Sequence, residues 1–253
     1  MFKQAIVRTP CREMIRGITT ASLGKPDYEL ALVQHAAYIE ALRTCGLDVR
    51  ILRPDPGFPD STFVEDVALC TADFAVLCNP GAPSRNGEKL EMARILNDFF
   101  ESVEKIEAPG TLEAGDVMMT GKHFYIGISG RTNHEGASQL IRILEKYGRT
   151  GEKVPLKHLL HLKTGVSCLE NNTLLTAGEF YRHPAFGSFE RIKVEESEAY
   201  AANSLWINGR VLVPEGFPET LSKIKKAGYP TLAVDVSEFR KLDGGLSCLS
   251  LRF

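Results

Sequence analysis

The chain has 253 residues, 43% of them hydrophobic and 25% charged, with a formal net charge of −2 at pH 7. That length can bury a sizeable core as one large domain or two small ones, and the balanced charge lacks the basic excess that a nucleic-acid partner needs. No apolar run reaches the ~18 residues of a membrane span. The Met1 to Arg8 segment has strand length and no secretion-signal core, and the six cysteines (11, 45, 70, 78, 168 and 248) form no CxxC. Free thiols in a reducing, cytoplasmic setting are expected.

Along the chain one unit recurs: apolar strand, tight turn, apolar strand, glycine or proline, helix, apolar strand. The first copy runs through 64–69 and 75–78, then past Pro80, Gly81 and Pro83 into a helix near 88–100 and a strand at 103–106. The second pairs 115–119 with 124–128 and continues into a helix with Ala137, Leu140, Ile141 and Leu144 at helical spacing. The third pairs 165–169 with 173–176. The fourth pairs 204–207 with 211–213 across Asn208-Gly209, a strong hairpin signal, and adds a helix at 219–227 and a strand at 231–234. A fifth needs both chain ends: 246–251 beside 5–7, followed by a helix at 28–44 that Gly46 ends.

A last strand that requires the first strand implies a closed α/β ring of five units, one domain over 1–253, with few exposed sheet edges. The first strand of every unit would then deliver side chains to a central cavity. An irregular α+β domain with several hairpins is the alternative.

Three carboxylates, Asp60, Glu65 and Asp66, are threaded through Phe63, Val64, Val67, Ala68 and Leu69. Burying an unpaired carboxylate is costly or forces protonation, so acids among core residues point to a held cation. A solvated edge strand, or pairing with the protein's own Arg or Lys, is the competing reading. Glu113 and Asp116 repeat the pattern, and at an effective dielectric near 20 each carboxylate–cation contact is worth roughly 4 kcal/mol before desolvation. Cys248 follows Gly244-Gly245, which permits close backbone approach or positive φ before a nucleophile. A thiol needs a nearby base or positive charge, and a core cysteine is the plainer reading. In the His158-Leu159-Leu160-His161 run, strand period would point the two histidines to opposite faces, which weakens a zinc reading and favours one histidine as acid or base. Arg85 and Arg131 follow the second strands of the first two units, where arginine suits bidentate capture of a carboxylate.

Phe63-Val64-Glu65-Asp66, Gly81-Ala82-Pro83-Ser84-Arg85, Glu113-Ala114-Gly115-Asp116-Val117, Arg131-Thr132-Asn133, His161-Leu162-Lys163-Thr164-Gly165 and Asp243-Gly244-Gly245-Leu246-Ser247-Cys248 together resemble the dimethylarginine dimethylaminohydrolase family, in its order and over nearly the whole chain. That family belongs to the guanidino-group-modifying enzymes. The resemblance implies a pentein-like, five-bladed αβ propeller closed by the N- and C-terminal strands. It implies a nucleophile at Cys248, an acid/base at His161 with Glu113 as its partner, and guanidinium contacts at Asp60, Glu65 and Asp66. Arg85, Arg131, Ile18 in a flap, and Leu242 correspond to contacts with the amino-acid end. The commoner Glu-Gly-Gly-Asp form has its first glycine replaced by Ala114 here.

The implied reaction converts Nω-methylated arginine to citrulline and a methylamine through a cysteine thiouronium. It needs a small-molecule substrate and no metal or organic cofactor, and zinc on Cys248 and His161 would block it. The resemblance leaves room for a homodimer. Arginine deiminase shares the chemistry, but its relatives carry an inserted helical domain that this compact chain has no room for. A ring-shaped translation factor that binds a ribosomal subunit is the non-catalytic alternative, and it predicts no cysteine–histidine–acid set.

Overall fold

A computed structural model describes all 253 residues. It contains five three-stranded sheets with one internal plan. In each, the first strand runs antiparallel to the middle strand and the third runs parallel to it. The first sheet is Ala68–Cys70, Ala75–Leu77 and Val103–Lys105; the second is Val117–Thr120, His123–Ile128 and Thr150–Pro155. The third is Val166–Cys168, Thr173–Thr176 and Glu190–Lys193, and the fourth is Leu205–Ile207, Arg210–Pro214 and Thr231–Val234. The fifth joins the chain ends: Leu251–Arg252 pairs antiparallel with Gln4–Arg8, Ile6 opposite Leu251, and Asp48–Leu52 completes it in parallel.

Middle strands are buried on both faces, so they read as continuous apolar runs, and the two-residue period divides them between neighbouring cores. Ala5 and Val7 pack with Leu205, Ile207 and Leu212 of the fourth sheet, whereas Ile6 packs with Val67 and Leu77 of the first. Leu174 faces Tyr125 and Val154 of the second sheet, and Leu175 faces Val211 and Val213 of the fourth. Val76 meets Val117 and Phe124. Each core thus straddles two sheets, and the fifth sheet shares one with the first and one with the fourth.

Helices form where local signals agree. The Tyr28–Thr44 helix is capped by Asp27, whose side chain accepts the N–H groups of Glu29 and Leu30. Asn133 caps His134–Lys146 through the Gly136 N–H. The first and fourth units carry Lys89–Asn97 and Pro218–Lys226. The third departs from the plan: two 3-10 turns, Gly178–Arg182 and Pro184–Phe186, replace its helix, since proline favours the first turn of a helix and opposes its continuation. No helix is long and apolar enough to cross a membrane.

A second departure concerns the strands expected from residues 64, 115 and 246 onward. Each begins as a single helical turn, at Val64–Val67, Ala114–Asp116 and Ser247–Leu249, closed by short-range bonds such as Asp116 N–H to the Glu113 carbonyl at 3.0 Å and Cys248 N–H to the Gly245 carbonyl at 3.2 Å. The histidine segment behaves alike: His161 immediately precedes the short Leu162–Gly165 turn and does not lie in a strand.

Candidate active site

These opening turns touch in succession. Ser247–Leu249 contacts Val64–Val67, which contacts Ala114–Asp116; that turn contacts Leu162–Gly165, which contacts Glu196–Ala202. Residues far apart in sequence meet because every sheet places the same kind of turn at the same end.

Asp66 is buried, and its Oδ2 is paired with Nη1 of Arg85. Its Oδ1 is also buried and has no hydrogen-bond partner. An unsatisfied buried acceptor costs about 1–3 kcal/mol, more if charged, so this oxygen can still take one donor. Arg85 itself is not a loose surface arginine but 4% exposed. Nε and Nη2 grip Glu88 at 2.9 and 2.8 Å, and Nη2 reaches the Phe63 and Asp60 carbonyls at 2.9 and 3.2 Å. Of its five N–H groups, one on Nη1 stays uncommitted.

Glu113 is completely buried. One oxygen meets Nε2 of His161 at 2.8 Å; the other accepts the Ala82 N–H at 3.1 Å and Nη1 of Arg131 at 3.2 Å. Burial alone would raise its pKa, but the hydrogen bond and charge of His161, then Arg131, pull it down to about 2. Burial likewise opposes the His161 cation, yet Asp66, Glu113 and Asp116 outweigh it and lift that histidine to about 9. At neutral pH the pair is therefore carboxylate and imidazolium. Gly115 leaves room for it: a Cβ there would stand 2.8 Å from Asp66 Oδ1 and 3.0 Å from His161 Nδ1. Ala114, by contrast, is a core residue beside Leu112 and Val117.

Cys248 Sγ receives the Gly245 N–H at 3.4 Å. Burial first, then Asp66 and Glu65, push its thiol up to about 12 against the Gly245 N–H and Lys163. The paired glycines serve close approach: a Cβ at Gly244 would fall 2.1 Å from the Phe63 ring, and one at Gly245 would fall 2.5 Å from Asn203. Positive φ occurs one residue earlier, at Asp243 (φ 59).

Cys248 and His161 line two small cavities. One, of about 40 Å³, is also lined by Asp60, Asp66, Arg85 and Arg131, with Ile18 and Leu242 at its edge. The other, of about 30 Å³, adds Gly115, Lys163, Thr164, Tyr200 and Asn203. The segment over the first cavity is tied down at both sides. Ile18 N–H donates to Asp60 Oδ1 at 3.0 Å, and Asp243 Oδ2 accepts the Thr20 N–H at 2.6 Å and its hydroxyl at 3.0 Å. Burial raises the Asp60 carboxyl, with Arg85 and the Ile18 N–H opposing it.

Two acids differ from expectation. Glu65 does not line this cavity; its carboxylate takes Lys163 Nζ at 2.6 Å, Arg252 Nη2 at 2.9 Å and Ser247 Oγ at 2.7 Å. Pairing with the protein's own cations was the competing reading, and for this side chain it holds. Asp116 accepts the Leu162 N–H at 2.9 Å and the Ser129 hydroxyl at 2.6 Å, so it anchors the loop after His161. His158 is exposed. Asp243 lay within a motif already singled out, whereas Asn203 carried no local signal. Ligand atoms of Asp66, Glu113 and His161 lie within 4.8 Å of one another. Arg85 and the Glu113–His161 bond already engage that set, which fits acid–base work better than metal binding.

A family model described as N,N dimethylarginine dimethylhydrolase, eukaryotic, matches residues 22–163. The N(G),N(G)-dimethylarginine dimethylaminohydrolase of Pseudomonas aeruginosa is 55% identical over 254 residues, covering 100% of both chains. The structure of a cysteine-to-serine variant of the Pseudomonas aeruginosa protein, complexed with citrulline, matches with a TM-score of 0.99 at 55% identity over 100% of both chains. A histidine-to-glycine dimethylarginine dimethylaminohydrolase in an adduct with S-methyl-L-thiocitrulline matches with a TM-score of 0.98, again at 55% identity and 100% coverage of both chains. The fold and site are those of a guanidine-modifying hydrolase. This chain belongs to the dimethylarginine dimethylaminohydrolase family.

Proposed function

We infer that this chain hydrolyses Nω,Nω-dimethyl-L-arginine and Nω-methyl-L-arginine to L-citrulline plus dimethylamine or methylamine. The observation that carries the reading is the buried, partnerless Oδ1 of Asp66, a residue that lines one cavity together with Cys248 and His161. A planar guanidinium supplies the missing donor and sets its central carbon near the sulfur, which makes the encounter local. Asp60 and Asp66 are proposed to hold that cation, with Glu65 supporting the site through Ser247. Arg131 and the spare N–H of Arg85 take the carboxylate of the amino-acid end, and the Ile18 and Leu242 carbonyls take its amine.

The charge states order the steps. His161 is already protonated, so it cannot deprotonate the thiol. Burial, then the Asp66 and Glu65 charges, keep Cys248 neutral; the substrate cation offsets those two charges, and the thiol proton leaves to solvent. Thiolate attack forms a C–S bond and a tetrahedral centre. His161 gives its proton to the departing amine as the C–N bond breaks, leaving a thiouronium. Neutral imidazole then takes a proton from water, which attacks the same carbon; the C–S bond breaks, the sulfur leaves as thiolate and takes up the hydroxyl proton of the tetrahedral species, and citrulline departs. The second cavity, on the Thr164–Tyr200 side, suits the leaving amine and then the water.

We propose further that the five sheets are blades of one αβ propeller forming a single domain. The cores shared in succession, with the fifth sheet joined to both first and fourth, support that arrangement. Free cysteines support a reducing, cytoplasmic setting.

Citrulline release from dimethylarginine and from arginine, measured side by side, tests the substrate class; preference for arginine refutes it. Cys248→Ser is expected to lower citrulline formation by roughly 10⁴-fold or more, and mass spectrometry of enzyme quenched in turnover should find a guanidine-carbon adduct on the Cys248 peptide. Unchanged turnover in that variant ends the nucleophile assignment.

A further inference from the structure

The fourth sheet supplies no group to the steps above, yet one side chain at its entrance reaches the nucleophile's turn. Asn203, which is buried, follows the Glu196–Ala202 turn and spends both ends of its amide on neighbouring turns. Oδ1 accepts the Ser247 N–H at 2.9 Å; Nδ2 donates to Ser247 Oγ at 3.0 Å and to the Lys163 carbonyl at 3.0 Å. A reversed amide would set donor on donor at Ser247 N–H and acceptor on acceptor at Lys163, so one orientation is specified. The side chain also presses on Gly245, where a Cβ would lie 2.5 Å from Asn203 Cγ and 2.6 Å from its Oδ1. Gly245 is the residue whose N–H points at Cys248 Sγ.

We propose that Asn203 is a positioning residue: it fixes the Cys248 turn against the turn that begins at His161, and it seats the Gly245 N–H on the sulfur. Glu65 makes a companion link between Ser247 and Lys163, but only through their side chains. Asn203 acts on the backbones that carry nucleophile and acid, which is where misplacement by about an ångström can cost ~10²-fold in rate. The inference rests on the hydrolase reading for its kinetic consequence.

Two uncharged variants test it, so that altered thiol reactivity cannot be put down to a new charge. Asn203→Leu keeps the bulk against Gly245 and removes the hydrogen bonds; Asn203→Ala removes both. With Nω,Nω-dimethyl-L-arginine, kcat should fall about 10²-fold while KM stays within about threefold. Alkylation of Cys248 by iodoacetamide at a fixed alkaline pH should slow about tenfold, the worth of one hydrogen bond to the charged form. Alkylation at the wild-type rate or faster, or a loss carried by KM, overturns the proposal. So does failure of both variants to give a cooperative melting transition, because Asn203 would then be a folding residue. If the wild-type protein makes no citrulline, the hydrolase reading fails, while the alkylation comparison still decides this one.

Discussion

The side chains of Glu65 and Asp66 leave one helical turn for different regions, and those regions treat buried charge differently. Behind the turn, Glu65 has both oxygens engaged by Lys163, Arg252 and Ser247. The 130 Å³ cavity on that side, lined in part by Cys70, Met118, Cys168 and Trp206, contains neither Cys248 nor His161. In front, Asp66 has one oxygen on Arg85 and one on nothing. A satisfied buried carboxylate holds structure together, whereas a half-satisfied one keeps an acceptor for another donor, the property on which the proposed guanidinium contact rests. That contrast separates two acids that composition and spacing treat alike.

Asp66→Asn should break the front region most. Removing the carboxylate proposed to face the guanidinium forfeits roughly 4 kcal/mol, or about 10³-fold in kcat/KM for dimethylarginine. Steady-state kinetics measure it, and a loss under tenfold would move the cation to Asp60 alone.

Glu113→Gln ranks next. It removes a charge that lifts His161 to about 9, so less of the histidine is the acid that the leaving amine needs. We expect kcat to fall about 10²-fold, in the range of acid–base contributions. Wild-type kcat, which reports the substrate complex where the bound cation has already favoured the thiolate, should decline as pH rises through about 9, where His161 loses its proton. In the variant that alkaline decline should begin at lower pH. A pH–rate profile with an unmoved alkaline limb would detach Glu113 from the histidine's charge.

Glu65→Gln should sharpen the contrast from the rear. It leaves Lys163 and Arg252, with side chains 14% and 11% exposed, without their counter-charge, and breaking a buried pair costs about 3–5 kcal/mol. Denaturant unfolding should show that loss, with KM for dimethylarginine changed far less than in Asp66→Asn. If KM rises as much as in Asp66→Asn, the assignment of the two carboxylates to different tasks is wrong.

Much of this architecture was legible because strands buried on both faces leave continuous apolar runs between turn residues. Helix 28–44, the Asn208-Gly209 hairpin and the pairing of chain ends follow from patterns that local chemistry enforces. The opening turns were not legible as turns, since three or four residues before an apolar run fit a longer strand equally well. Nor does a sequence reveal direction: which of Glu65 and Asp66 meets Lys163 depends on a residue almost 100 positions away. Arg85 reads as an arginine suited to bidentate capture of a carboxylate, and the sequence does not show that its guanidinium is largely spent on Glu88, Asp66 and two carbonyls. Asn203 has no neighbours in sequence that mark it, because its partners belong to other sheets.

The smallest effect is expected where the chain departs from the family's Glu-Gly-Gly-Asp form. Ala114 occupies a helical turn at negative φ and buries its methyl against Leu112 and Val117, so alanine costs nothing there. Ala114→Gly should lose about 1 kcal/mol, from added chain freedom and a lost buried methyl, with kcat and KM within about twofold of wild type. Its neighbour tolerates no such exchange. Gly115→Ala would place a methyl between Asp66 Oδ1 and the His161 ring, each within 3.0 Å of it, and push apart the two groups proposed to meet substrate. Measured side by side, the pair should give near-normal turnover for the first and a loss of about 10²-fold or more for the second. Equal losses in both would mean that the loop's flexibility, and not the open space beneath Asp66, sets the geometry of the acid and the cation site.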